Sequence, residues 1–181
     1  GVTGGVMEAA LRTAYEVITK KELANVAFTD VRGLAGIREA VVSIDGTDVR
    51  VAVVNGLANV HRLFTEINEG KRSYHFIEIM TCPGGCMGGG GQPYPAQGIE
   101  PYDAALYEKR AAGLYAIDEA KQIRKSHLNP DIQKLYADFL GEPLGKRSHE
   151  LLHTHYHIKS PHGIPSRLAA AVNLFTAKEN V

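Results

Sequence analysis

The strand-like run "HFIEIM", residues 75–80, breaks into "TCPGGCMGGGGQPYP", where Cys82, Cys86 and six glycines (Gly84, Gly85, Gly88, Gly89, Gly90 and Gly91) crowd together. A short apolar run bounded in this way reads as a buried strand that ends in a loop. The two cysteines are the only ones in the chain, so its whole thiol complement sits in its most flexible segment. Glycine at this density removes side-chain bulk, permits positive φ and raises the entropic cost of ordering the loop. That cost is tolerable where something large packs against the bare backbone, whose N–H groups can also hydrogen-bond the sulfides of an inorganic cluster.

The surrounding pattern places this loop in an α/β layer. Residues 5–19 carry Val6, Ala9, Ala10, Thr13 and Val17 at helical spacing, with Lys20 and Lys21 at the C-terminal end. Gly4 and Gly5 open that helix, so its free N–H groups are expected to face an anionic ligand. "REAVVSIDGTDVRVAVVNG" reads as strands 38–44 and 49–54 joined at Asp45-Gly46. A helix over 57–67 and the strand 75–80 follow, and the alternation predicts a parallel or mixed sheet flanked by helices, with 75–80 as an inner strand. The cysteine loop then leaves the carboxyl end of a strand, where open α/β sheets bind ligands.

Beyond the loop the composition turns helical. Leu106, Leu114 and Ile117 predict a helix with a charged opposite face, and "KQIRK" (121–125) reads as a solvated helix face. Asn129 and Pro130 predict the start of a second helix through Phe139, and Ser148 is expected to cap a third through His153. The implied domains are an α/β lobe over 1–100 with a cluster-binding loop at 78–93, a helical extension over 101–157, and a tail over 158–181. Leu168, Val172 and Phe175 hint at a short amphipathic helix in that tail.

Charge excludes some partners. Twenty basic residues balance twenty acidic ones, so nothing argues for nucleic acid. No apolar run reaches the ~18 residues of a membrane span, and no signal peptide is visible. Two thiols without a secretory signal favour a reducing, cytoplasmic setting over a disulfide scaffold. The first methionine, Met7, lies inside the first helix. This reads as the middle of a longer protein, and a surface left without its other lobe is expected to favour a homo-oligomer.

Spacing alone leaves the thiols' chemistry open. A pair at CxxxC spacing supplies two of the four ligands that an iron–sulfur cubane normally needs. Redox dithiols prefer CxxC, structural zinc sites usually show two such pairs, and an ordinary pair of loop thiols is the plain alternative. His149, His153, His155 and His157 form a second cluster, in which His149/His153 have the i, i+4 spacing of a metal chelate. Without a nearby acid or cysteine ligand the tract reads as packing and hydrogen bonding, with zinc as the alternative. Tyr102, Tyr107, Tyr115 and Tyr136 read as core and interface aromatics.

The full string "EIMTCPGGCMGGGGQP" closely resembles the third cluster-binding motif of the iron-only hydrogenases, with Glu78, Met80, Cys82, Gly85, Cys86, Gly89, Gly90 and Pro93 in place. "GVTGGVMEAALRTAYE" (1–16) is similar to a helix start shortly before this motif in the family. "HLNPDIQKLYADFLGEPLGKRSHELLHTHY" (127–156) resembles its C-terminal helical wrap, which some members carry as a separate small subunit. The resemblance implies an H-cluster, a 4Fe–4S cubane joined to a two-iron unit with carbonyl and cyanide ligands. It implies that Cys82 ligates the cubane and that Cys86 bridges cubane and two-iron unit. Met80 would pack beside the two-iron site, and Gly1, Gly4 and Gly5 would approach it by backbone. The implied reaction is reversible oxidation of dihydrogen, with electrons passed to ferredoxin or a similar carrier. The family's other cluster cysteines and its proton-relay cysteine lie upstream of the resembled segment. The resemblance therefore implies a C-terminal part of the catalytic domain, inactive without the N-terminal half. A hydrogenase-like iron–sulfur assembly or prelamin-recognition protein is the alternative.

Overall fold

The structure is a computed structural model that describes residues 1–155. The expected tail helix, Tyr156 and His157 fall outside the described residues. By its contacts the chain divides into two compact units, Gly1–Gln133 and Lys134 onward.

The first unit is built on a three-stranded mixed sheet of order β1-β2-β3. Strands β1 (Ile37–Ile44) and β2 (Thr47–Asn55) form the expected antiparallel hairpin, turning at Asp45-Gly46, both at positive φ. Helix α2 (Leu57–Asn68) crosses over to β3 (Phe76–Met80), which pairs parallel to β2 with Val51 opposite Phe76 and Asn55 opposite Met80. Among the described residues β3 is therefore an edge strand, and β2, not 75–80, is the inner one. The burial pattern agrees with this correction: Val51–Asn55 are all buried, whereas Phe76 and Ile79 on β3 are half exposed.

A strand buried on both faces needs a layer on each side, and β2 has both. Helix α1 (Gly5–Thr19) sets Met7 and Leu11 against Val51, Val53 and Val31. On the opposite face Leu63 of α2 packs on Ala52 and Val54, with Ile37, Val60 and Ile77 around them. Helix α3 (Ala104–Glu119) starts at Asp103, whose side chain accepts from the Leu106 N–H at 2.8 Å. Its buried face carries Tyr107 and is extended by Ala111 and Tyr115, rather than the expected Leu114 and Ile117, which are exposed.

Ion pairs hold α3 and the segment after it to α1. All five N–H groups of Arg12, 5% exposed, are satisfied. Nε donates to the Val26 carbonyl, Nη1 to Asp118 and the Arg124 carbonyl, and Nη2 to Glu8 and Asp118. Buried Glu8 also accepts from Arg32 through both oxygens, at 2.9 and 2.7 Å. One turn along α1, Glu16 receives Lys125 at 2.5 Å and His127 at 2.7 Å. The expectation of a solvated helix at 121–125 is thus corrected. The helix ends at Glu119, Arg124 pairs with Asp118, and Lys125 is 9% exposed because it pairs with Glu16.

The division between units falls within α4 (Pro130–Leu135). Asn129 caps that helix as expected, its side chain accepting from the Asp131 N–H at 2.9 Å. In the second unit a π-helical turn spans Tyr136–Leu140 and α5 covers Lys146–Leu152. Ser148 is not the cap of α5. Gly145 is, and the buried Ser148 hydroxyl donates to the Gly145 carbonyl at 2.8 Å and to that of Glu142 at 3.1 Å.

Arg12 above all, with Arg124, holds the Asp118 carboxyl at about 2. The Leu23 N–H, then Lys125 and His127, hold Glu16 at about 2. Both lie below the unfolded values of ~4, so the stabilisation is complete above about pH 5 and is lost as pH falls through 4 toward 2. Urea unfolding measured across this range should show stability falling in that window. Asp118→Asn should be less stable at neutral pH and lose less on acidification.

Candidate functional site

The site grows from the carboxyl ends of β2 and β3. Glu78 points inward from β3 at 6% exposure and accepts from the Gly4 N–H through Oε1 at 2.6 Å and from the Met7 N–H through Oε2 at 2.5 Å. The anion expected at the start of α1 is therefore a residue of the chain itself. The Gly4 donor is consumed by Glu78, and the Gly5 N–H by the Val2 carbonyl at 2.9 Å. Buried Asn55 performs a second tie. Its Nδ2 donates to the Ala35 carbonyl at 3.0 Å, and its Oδ1 accepts from the Gly84 N–H at 3.4 Å.

With α1 anchored, the segment Gly1–Thr3 lies antiparallel to the cysteine loop. Thr3 N–H donates to the Gly84 carbonyl at 3.0 Å, and Cys86 N–H to the Gly1 carbonyl at 2.8 Å. Cys82 and Cys86 are both free thiols, the first half-buried and the second exposed, and a 3₁₀ turn covers Cys86–Gly88. Gly1 thus meets the loop by backbone. Met80 is half-buried at the end of β3, and the loop's own Met87 is buried, packed with Val2 and Tyr107.

The loop glycines divide into two groups. A Cβ on Gly85 (φ +90) would lie 2.7 Å from both the Gly1 carbonyl oxygen and the Thr3 nitrogen. One on Gly88 would lie 2.4 Å from the Pro83 oxygen and from the Tyr107 hydroxyl. These glycines are required by the protein's own close packing. A Cβ on Gly89 would make only ordinary contacts, with the Cys82 sulfur and the Cys86 carbonyl oxygen at 3.4 Å, and Gly90 and Gly91 border open space.

Helix α3 grips the loop from outside. Arg110 donates to the Met87 carbonyl at 2.8 Å and to that of Pro93 at 2.7 Å, and the Tyr107 ring fills the volume beside Gly84. Burial pushes the Tyr107 hydroxyl up, with smaller contributions from Tyr102 and from Cys82 that Arg110 opposes. Two buried hydroxyls at the loop, Thr3 Oγ1 and Tyr107 OH, have no hydrogen-bond partner. Paired thiols, open glycine backbone and unpartnered hydroxyls are the chemistry that an iron–sulfur group engages. Among the described residues no cluster of three or more His, Cys, Asp or Glu is placed to hold a metal ion. The His149 and His153 rings, in the second unit, lie 4.2 Å apart between centroids and are tilted by 47°.

Sequence reasoning missed Glu78 as the cap of α1, the Glu8–Arg12–Asp118 chain, and the hold of Tyr107 and Arg110 on the loop. Of these only Glu8–Arg12 carried a local signal, its i, i+4 spacing.

These features define a class: an α/β lobe with paired thiols on a glycine loop at the carboxyl end of parallel strands. Residues 1–90 match the family described as "Iron only hydrogenase large subunit, C-terminal domain", and residues 104–159 match "Iron hydrogenase small subunit". The chain belongs to the iron-only hydrogenase family. It is 51% identical over 156 residues to the NADP-reducing hydrogenase subunit HndD of Solidesulfovibrio fructosivorans, which covers 86% of this chain and 26% of that protein. It is 54% identical over 103 residues to the periplasmic Fe hydrogenase large subunit of Nitratidesulfovibrio vulgaris, covering 57% of this chain and 24% of that one. The solved FeFe-hydrogenase HydA1 from Chlamydomonas reinhardtii superimposes with a TM-score of 0.65 at 43% identity, over 86% of this chain and 45% of that one. At 30% identity over 158 residues, 86% of this chain and 32% of the relative, it also matches a probable cytosolic Fe-S cluster assembly factor of Drosophila willistoni. The chain thus spans about a quarter of the length of the first two relatives. The relatives include a periplasmic and a cytosolic protein. No described helix is long and apolar enough to cross a membrane.

Glu78→Gln keeps one acceptor but turns an amide donor toward a buried N–H. It should cost ~1–3 kcal/mol in chemical denaturation and speed amide exchange at Thr3 and Cys86. Gly85→Ala, which places a Cβ against backbone at positive φ, should destabilise by a similar ~1–3 kcal/mol, whereas Gly90→Ala should leave stability unchanged.

Proposed function

We propose that Cys82 and Cys86 are two of the protein ligands of an H-cluster, in a hydrogenase that reversibly oxidises dihydrogen and passes the electrons to ferredoxin or a similar carrier. The observation that carries this reading is the pair of free thiols on a loop whose Gly89–Gly91 backbone is open beside them. When bound, the cluster supplies the open metal coordination and the electron storage that dihydrogen chemistry needs. Cys82 and Cys86 would hold the cubane, with Cys86 on the side of the two-iron unit. Met80 supplies a soft thioether to a water-poor pocket, and the Gly1 carbonyl, by accepting from the Cys86 N–H, fixes the backbone that carries that thiolate. Gly4 and Gly5 serve at one remove: their N–H groups are spent on Glu78 and Val2, and so position Gly1–Thr3.

Two thiolates do not complete a cubane, which takes four. The chain by itself is therefore inactive, and the remaining ligands come from the rest of the catalytic domain. On this reading residues 1–100 form the cluster-binding lobe and 101–157 the small-subunit-like wrap. A second reading, an iron–sulfur assembly protein without hydrogenase activity, is favoured by the 30% identity to the Drosophila relative.

Anaerobic reconstitution of the whole catalytic domain, with iron content, infrared carbonyl and cyanide bands and hydrogen uptake as readouts, tests both readings. Cys82→Ala should lose the cubane iron, and Cys86→Ala should lose the infrared bands; both should lose uptake. Retained bands and turnover in Cys86→Ala would overturn the assignment. A wild-type domain that binds iron but neither shows the bands nor turns over hydrogen selects the second reading.

A further inference from the structure

Tyr107 sits in the first turns of α3 at 5% exposure, within the segment that matches the small subunit of the family. Its ring packs on Val2 and Met87 from the large-subunit-like segment. Two loop glycines leave room for it: a Cβ on Gly84 would lie 3.0 Å from the ring, and one on Gly88 would lie 2.4 Å from the hydroxyl. The hydroxyl is sealed from solvent and has no partner, a costly arrangement unless something accepts its hydrogen bond. Arg110, three residues on, is already committed to the Met87 and Pro93 carbonyls. The next loop residue, Gly89, is the one whose Cβ would touch the Cys82 sulfur, and Cys82 lies within electrostatic reach of the hydroxyl.

We propose that the Tyr107 hydroxyl, which meets no acceptor among the described residues, donates a hydrogen bond to a cluster sulfide on the Cys82 side of the loop. The small-subunit-like segment thereby supplies a tuning donor to a cluster whose thiolates belong to the large-subunit-like segment. This rests on the reading of Cys82 as a cluster ligand. Hydrogen bonds to cluster sulfur stabilise the more negative reduced state and raise the reduction potential. The nearest rival acceptor is the Pro83 carbonyl, which crowds the same point over Gly88.

The test is an EPR-monitored redox titration of the cubane in the reconstituted catalytic domain. Wild type is measured first: if it fails to load a cubane, the ligand assignment falls, independently of Tyr107. Given a loaded wild type, Tyr107→Phe should bias the cubane toward the oxidised state by about tenfold at fixed potential, ~59 mV more negative for a one-electron couple. Tyr102→Phe, whose side chain is 69% exposed, should leave it unchanged. A Tyr107→Phe domain with the wild-type potential overturns the proposal, even where its stability falls, because the hydroxyl then serves Pro83. Should Tyr107→Phe fail to load, site-specific 3-fluorotyrosine at position 107 decides. As a stronger donor of nearly the same shape it should raise the potential, and an unshifted value overturns the proposal.

Discussion

The Glu78 carboxylate spans the N-terminal turn of α1, one oxygen on the Gly4 N–H and the other on the Met7 N–H, from the middle of β3. A helix start carries unpaired N–H groups and partial positive charge, so a buried anion there satisfies donors and field together. The consequence lies beyond the helix. Holding Gly4 fixes Gly1–Thr3, which pair with Gly84–Cys86, and so the backbone of the second thiol is set by a carboxylate on the strand before the loop. β3, α1 and the loop are one mechanical unit. The motif's glutamate has this structural role within the chain itself.

A second constraint acts from the other side. Arg12 and Glu16 of α1 reach Asp118 at the end of α3 and Lys125 and His127 beyond it. Pairs this well enclosed are costly to break singly, because a survivor is left charged and buried. They specify how α3 lies on α1, and the position of α3 decides where Tyr107 and Arg110 meet the loop. The small-subunit-like segment is therefore part of the site's architecture, not a covering laid over it.

What could be read in advance was local. The hairpin, α1, α2, the strand before the cysteines and its carboxyl-end loop all follow from short-range periodicity and turn residues, and they hold within a residue or two. The family motif placed Cys82 and Cys86 on the loop, and Asn129 capped its helix as expected. Two of the misreadings share one cause, a partner far along the chain. The start of α1 was read as facing a ligand because Glu78 lies 74 residues away from Gly4. Lys125 was read as solvated because Glu16 lies 109 residues away. β3 was read as inner because its apolar run looks the same at an edge. Leu114 and Ile117 were read as the buried face of α3, but tyrosines, with their polar tips, occupy that face.

The glycines carry the argument furthest. Their density was first explained by a single cause, an inorganic group packing on bare backbone. The structure separates two causes along one loop. Gly84, Gly85 and Gly88 are small because Tyr107, Gly1, Thr3 and Pro83 crowd them, and these contacts are complete within the chain. A Cβ on Gly89 would meet the Cys82 sulfur and the Cys86 carbonyl, both at 3.4 Å, and Gly90 and Gly91 meet open space, although Gly91 is held to glycine by its φ of +87. At Gly90 neither crowding nor backbone conformation asks for glycine, whose backbone entropy is costly to fix. The first half of the loop is thus shaped by the chain's own close packing, and it is the more open second half against which the proposed cluster would lie.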